Sequence, residues 1–283
     1  MLINEQALLD HVFPERRSRW DADAVILYHL GLGTGLYPGA EAATHYLYEK
    51  DLRVLPSFAV TLVFESIQDL NDLPGIDIDP SQLLHAAHEL RVYRPLPVTG
   101  ELVHQARVVG VYDRGTAAQL EIEVTSRDGE NRVCCTNRFS LLLTDRGGFG
   151  GQRPPRSPYR RPTRPPDQSI EIPVMPGQAA LYRLSGDKNP VHIEPEVAQK
   201  AGFSQPLLHG LCSFGIACRG AADLFFAGDP GRITGLQATF GGPAFPGETL
   251  LLALWQTDEI LFYTVKSAQR GTPVISGGAV FTS

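Results

Sequence analysis

The sequence of 283 residues contains no apolar run long enough to cross a bilayer, and no membrane association is expected. Its opening, Met1-Leu2-Ile3-Asn4-Glu5-Gln6, lacks the basic start and apolar core of a secretory signal. Its end, Val280-Phe281-Thr282-Ser283, is not a peroxisomal tripeptide. Positive charge is in deficit: 25 Lys and Arg against 31 Asp and Glu give a net charge of −6, which argues against nucleic-acid binding. Cysteine is scarce. The four present, Cys134, Cys135, Cys212 and Cys218, form no C-x-x-C pair and read as reduced, buried thiols of a cytoplasmic protein.

Several motifs are also missing. Gly31-Leu32-Gly33-Thr34-Gly35 lacks the third glycine of a dinucleotide fingerprint and is followed by Pro38. Gly210-Leu211-Cys212-Ser213-Phe214-Gly215 is one residue out of step with a nucleophile elbow. Cys212 reads as a packed helix thiol. His85 and His88 stand three apart with no H-E-x-x-H or cysteine set to complete a metal site, so no metal is expected.

What remains is a chain with 43% hydrophobic and 20% charged residues, ordinary for a folded protein and enough for one large domain or two small ones. Residues 147–168 break the composition. They run from Gly147-Gly148-Phe149-Gly150-Gly151 into proline-rich segments with Arg153, Arg156, Arg160, Arg161 and Arg164. Such a segment holds neither helix nor ladder and reads as a surface linker. Its arginines could meet phosphates, for instance of a nucleotide cofactor, but a solvated strap is the simpler reading.

The linker separates residues 1–146 from 169–283, and the two parts read as divergent copies. Leu90 to Leu102 gives strand, turn, strand around Pro95 and Gly100; Leu236–Phe240 followed by Pro246–Leu250 repeats the layout. Leu120-Glu121-Ile122-Glu123-Val124 alternates as a half-buried strand should, and an Asp128-Gly129 turn leads to residues 132–139. The second copy answers with residues 261–265, a turn at Gly271, then Val274-Ile275 and Ala279-Val280-Phe281. A helix precedes each meander. Leu208 to Phe226 has no proline and is apolar nearly all round, with Leu211, Gly215, Cys218, Ala222 and Phe225 on one face. The first copy has a shorter run, Phe58 to Leu70, led by Pro56. Helix then antiparallel sheet, twice, is an α+β pattern.

The chemistry concentrates in Tyr182-Arg183-Leu184-Ser185-Gly186-Asp187-Lys188-Asn189-Pro190-Val191-His192. Gly186 and Pro190 make this a turn, and the residue before proline is held extended. The bend could bring Asp187 and His192 over one point, as a proton-transfer pair worth about 10²–10⁴ in rate. Spacing alone also fits a turn with ordinary Asp and Asn caps beside a core or surface histidine. Farther on, His209-Gly210 opens the long helix. A glycine there lets a ligand approach an N–H that has no intrahelical acceptor, where developing negative charge is favoured. A helix that merely begins with glycine would look the same.

The segment Gly186-Asp187-Lys188-Asn189-Pro190-Val191-His192 resembles the signature of the MaoC-like, (R)-specific 2-enoyl-CoA hydratases (hydratase 2). Pro206-Leu207-Leu208-His209-Gly210-Leu211 is similar to that family's helix start. Leu27-Tyr28-His29-Leu30-Gly31-Leu32-Gly33, Tyr48-Glu49, Leu55-Pro56-Ser57-Phe58 and Tyr93-Arg94-Pro95-Leu96-Pro97 resemble elements of its double-hot-dog members. The resemblance implies a hot-dog fold in each half: a degenerate N-terminal copy making room for the acyl chain, and a catalytic C-terminal copy. It implies a catalytic set of Asp187, His192, Asn189 and Gly210. Asn189 would steady the acid or the water, and the Gly210 N–H would bind the thioester oxygen. It further implies substrate-binding roles for Glu49, Tyr28 and His209. His29 departs from the family pattern, where a small residue is expected.

The implied activity is reversible hydration of trans-2-enoyl-CoA to (R)-3-hydroxyacyl-CoA, in fatty-acid or sterol side-chain β-oxidation. CoA is then part of the substrate, and no cofactor is needed. Alternatives on the same fold are a 3-hydroxyacyl-thioester dehydratase of acyl-chain synthesis, a thioesterase, and a non-catalytic acyl-CoA-binding subunit. Hot-dog proteins pair sheets edge to edge; the two halves could do so internally, and a homodimer of chains is left open.

Overall fold

The computed structural model describes residues 3–36, 43–78 and 82–283. Pro38, Met1 and Leu2, used above, lie outside the described residues. Among the described residues ten strands form a single antiparallel sheet: β1 (Arg16–Trp20), β2 (Leu83–Val92), β3 (Gly100–Asp113), β4 (Ala117–Arg127), β5 (Val133–Thr144), β6 (Gln168–Pro173), β7 (Ile233–Phe240), β8 (Thr249–Gln256), β9 (Ile260–Ser267) and β10 (Pro273–Thr282). Their spatial order is β1-β3-β4-β5-β2-β7-β10-β9-β8-β6. The second five strands repeat the first five in mirrored order. Each half contributes an edge strand, a strand at the seam and a three-stranded meander. The halves join where β2 pairs with β7, and Leu90 there faces Leu236, both wholly buried. Antiparallel pairing across the seam lets one continuous ladder satisfy both halves, so neither presents a bare inner edge.

The strands carry the alternation expected of a sheet with one face on a core. In β4, Leu120, Ile122 and Val124 are fully buried, while Glu121, Glu123 and Thr125 are only half-buried. Val274-Ile275 and Ala279-Val280-Phe281, read separately above, belong to one strand, β10, interrupted by register shifts near Ile275 and Gly277.

Among the described residues six α-helices accompany the sheet: α1 (Glu5–Leu9), α2 (Ala22–Gly31), α3 (Thr44–Leu47), α4 (Gln178–Tyr182), α5 (Pro195–Lys200) and α6 (Gly210–Phe225). The apolar run of the C-terminal half is α6, which buries every residue from Leu211 to Ala222. Its N-terminal counterpart, Pro56–Asp72, is a 3-10 helix broken by non-helical geometry at Asp69. The small residues of α6 serve two neighbours rather than the sheet alone. At Gly215 a Cβ would lie 2.5 Å from the Tyr28 hydroxyl of α2, and at Gly220 it would lie 2.3 Å from Leu252 of β8. Helix α2 therefore sits against α6 because Gly215 has no side chain.

His29 is a satisfied core histidine. Its Nδ1 donates to the Tyr46 carbonyl at 2.8 Å and its Nε2 accepts from the Leu55 N–H at 3.4 Å. The four cysteines are free and buried. Between β5 and β6 the chain makes no regular element, and it is strapped to the sheet. Asp113 accepts from the Gly148 and Gly150 N–H groups, Arg161 lies over the Trp255 ring, and Arg164 forms a two-pronged pair with Asp167.

Candidate active site

Three short pieces of chain build the site: the turn after α4, the 3-10 turn Pro190–His192, and the start of α6. Gly186, at φ +133°, reverses the chain after Ser185 in a conformation open to glycine. Its missing Cβ would lie 2.9 Å from the Phe64 ring and 3.1 Å from the Thr61 carbonyl, so the turn rests directly on the N-terminal helix. Asn189 takes the extended ψ of 122° that Pro190 demands. Its backbone N–H donates to Asp187 Oδ1 at 3.1 Å, while its side-chain oxygen accepts from the Val191 N–H. Asn189 thus holds Asp187 through its backbone, and its exposed side chain caps its own turn.

His192 returns over the turn. Its Nδ1 donates to the Leu207 carbonyl at 3.0 Å, and the Leu207 N–H donates to the Val191 carbonyl at 3.3 Å. This two-way tie fixes the ring and leaves Nε2 as a lone pair. That lone pair faces Asp187 Oδ2 across 3.9 Å. The gap is too wide for a direct hydrogen bond and suits one oxygen atom donating a proton to each side. Burial lowers the pKa of His192, and the nearby Asp187 carboxyl opposes that shift.

His209 lies against His192 with ring centroids 3.6 Å apart and planes 25° from parallel. Its Nε2 donates to the Asp187 carbonyl at 3.3 Å. Burial is the main reason its pKa falls to about 2, with His192 adding to the shift. Beneath it the stack continues to Tyr182 at 4.9 Å and on to Tyr28 at 6.0 Å. Tyr28 is fully buried, and Tyr182 lies between it and His209. Gly210, the first residue of α6, has no intrahelical acceptor for its N–H. The Phe240 ring lies 3.1 Å from where a Cβ would stand.

The structure therefore brings Asp187, Asn189, His192, His209 and Gly210 together. Tyr28 is placed below them, not among them. Glu49 is exposed and shares no hydrogen bond or ion pair with the set among the described residues. The Leu207 carbonyl and the His209 stack had no sequence signal, since each acts on a residue more than a dozen positions away. A cleft of about 310 Å³ opens beside His192, lined by Pro176, Ala180, Ile193, Gln205 and Pro206.

Ligand-type atoms of Asp187, His192 and His209 fall within 4.8 Å of one another. An imidazole binds a metal in its own ring plane. Two nearly parallel stacked rings share no such point at bonding distance, so the trio is a poor chelate as it stands. It suits proton transfer better.

Residues 19–145 match the MFE-2 hydratase 2 N-terminal domain, and residues 159–277 match the MaoC-like domain. The enoyl-CoA hydratase ChsH3 of Mycobacterium tuberculosis is 36% identical over 98% of both chains. The peroxisomal enoyl-CoA hydratase 2 of Arabidopsis thaliana is 35% identical over 97% of this chain and 94% of its own. Among solved structures, a MaoC-like dehydratase from Phytophthora capsici superposes with a TM-score of 0.88 at 29% identity, over 99% of each chain. The chain belongs to the MaoC-like hydratase 2 family, with the double-hot-dog fold.

Proposed function

We propose that this chain is a hydro-lyase that adds water reversibly to trans-2-enoyl-CoA, giving (R)-3-hydroxyacyl-CoA, in β-oxidation. The 3.9 Å gap between Asp187 Oδ2 and His192 Nε2 carries this reading. A water bridging two acceptors gives up a proton toward each and keeps a lone pair for carbon. Its oxygen bonds C3 of the enoyl group, and the C2–C3 π electrons move onto the thioester as an enolate. The Gly210 N–H stabilises that oxyanion. The proton lost by the water passes through the pair to C2, so Asp187 and His192 end the cycle as they began. His209 positions His192, and Asn189 positions Asp187.

In this reading CoA is part of the substrate and lies along the cleft beside His192, and the reaction draws on no metal or prosthetic group. No helix among the described residues is long and apolar enough to cross a membrane. A cytoplasmic location and a monomer or homodimer complete the reading. The test is to follow loss of the conjugated enoyl absorbance and to determine the configuration of the product. Formation of the (R) alcohol supports the reading. Release of free CoA without hydration would replace it with a thioesterase, and tight binding without turnover would replace it with a binding subunit.

A further inference from the structure

A second pair of histidines lies in the interior and takes no part in the chemistry above. His85 and His88 are both on β2, three residues apart, and regular alternation would send them to opposite faces. A bulge at Ala86 prevents this: His85 pairs with Leu141 and Ala87 pairs with Ser140, leaving Ala86 extra. Leu141 and Phe139, opposite His85 and His88, are both buried on the core face. The two imidazoles thus turn inward together, with ring centroids 5.5 Å apart, among the rings of Phe139, Phe214 and Phe240.

Each ring keeps one nitrogen uncommitted. Asn137 donates from Nδ2 to the Ala59 carbonyl, which aims its Oδ1 at His88 Nε2, 3.1 Å away. His88 therefore carries its proton on Nε2 and presents Nδ1 as a lone pair; that atom is enclosed and has no partner, in a residue only 1% exposed. His85 bonds the Ala87 backbone and presents an enclosed, unpartnered Nε2, although the residue as a whole is half-buried. Burial pushes the pKa of His85 down to about 4 and that of His88 well below the ordinary value, so both rings are neutral acceptors. The pair is next to the reaction centre. The His85 ring meets Phe240 at 5.0 Å between centroids, and Phe240 covers Gly210.

We propose that His85 and His88 form a recognition site for a hydroxyl group carried on the acyl chain, beyond the reacting carbons. The proposal rests on the hydration reading. From a thioester oxygen at the Gly210 N–H, an acyl chain passing Phe240 is directed to the two enclosed ring nitrogens. A hydroxyl there donates to an imidazole nitrogen that is otherwise unsatisfied. A ketone brings a second acceptor and gains nothing.

The test compares kcat/KM for enoyl-CoA substrates of one chain length bearing a methylene, a hydroxyl or a ketone, with the oxygen stepped outward along the chain. At one position the hydroxyl substrate is expected to exceed the plain one by about tenfold or more, the worth of one buried hydrogen bond. The ketone is expected to show no advantage. In His85→Phe the hydroxyl-to-plain ratio falls toward one; His88→Gln serves if that variant does not fold. Hydration of every member with no hydroxyl preference at any position overturns the proposal alone. A ketone equal to the hydroxyl overturns it too, since the site would then be donating. Hydration of no member overturns the hydration reading and this proposal with it.

Discussion

His209 stacks on His192 with 3.6 Å between ring centroids, while its Nε2 holds the Asp187 carbonyl at 3.3 Å. One residue thus braces both members of the proposed proton-transfer pair, from beneath the ring and behind the acid. His209→Ala is expected to lower kcat by about 10²-fold, the usual effect of misplacing a reacting group by an ångström. KM should change little. His209→Phe keeps the stack but not the hydrogen bond and should fall between, as steady-state kinetics of the two variants will show.

In the proposed mechanism Asp187 and His192 act on the same water, so their losses should not add. Asp187→Asn and His192→Gln are each expected to reduce kcat by about 10²–10⁴-fold. The double variant should be little worse than the poorer single one. A double variant showing the product of the two losses would mean independent roles.

The pH profile follows from a neutral His192. Burial lowers its pKa, so the lone pair on Nε2 survives below the ordinary imidazole value. The acid limb of kcat/KM is therefore expected below about pH 6.5, where a free imidazole titrates. An acid limb above that value would show that the Asp187 carboxyl, not burial, dominates the environment of His192.

Stability should also fall in acid, from other histidines. His29 and His104 are buried neutral with pKa values lowered to about 4 in the folded chain. The unfolded chain binds these protons at about 6.5, so between the two values it holds more protons than the folded one. Stability is then fully present above about pH 6.5 and declines toward pH 4, by roughly 1.4 kcal/mol per pH unit for each such group. Denaturant titrations from pH 7 to pH 5 should show the decline, and His29→Gln should reduce its slope.

Gly215 tests the packing beneath the site. Gly215→Val places a side chain where a Cβ alone would be 2.5 Å from the Tyr28 hydroxyl and 2.6 Å from Leu32. Overpacking of this kind costs about 1–3 kcal/mol and should lower Tm. Tyr28→Phe, by contrast, removes a buried hydroxyl beside Ser57, outside the Asp187–His192 pair, and should leave kcat/KM within about twofold.

Much of this fold is legible in the sequence where a local rule acts alone. The apolar run of α6, the alternation of β4 and the turn at Gly271 each follow from periodicity or backbone freedom within a few residues. The nearness of Asp187 and His192 is only partly legible: Pro190 holds Asn189 extended, but the spacing alone fits an ordinary capped turn equally well. The edge strands are less legible. Arg16-Arg17-Ser18-Arg19 has no apolar alternation, and it is a strand only because β3 pairs with it. The Leu207 carbonyl that fixes His192, and the His209 ring that braces it, come from another part of the chain and leave no mark in the spacing. The inward turn of both His85 and His88 depends on a bulge that simple alternation contradicts.

The most direct measurement is hydration of a trans-2-enoyl-CoA by the wild-type chain and by Asp187→Asn, with the product resolved by configuration. The account predicts the (R)-3-hydroxyacyl-CoA from the wild type and a loss of at least about 100-fold in the variant. An (S) product, or an unchanged rate in Asp187→Asn, would contradict it.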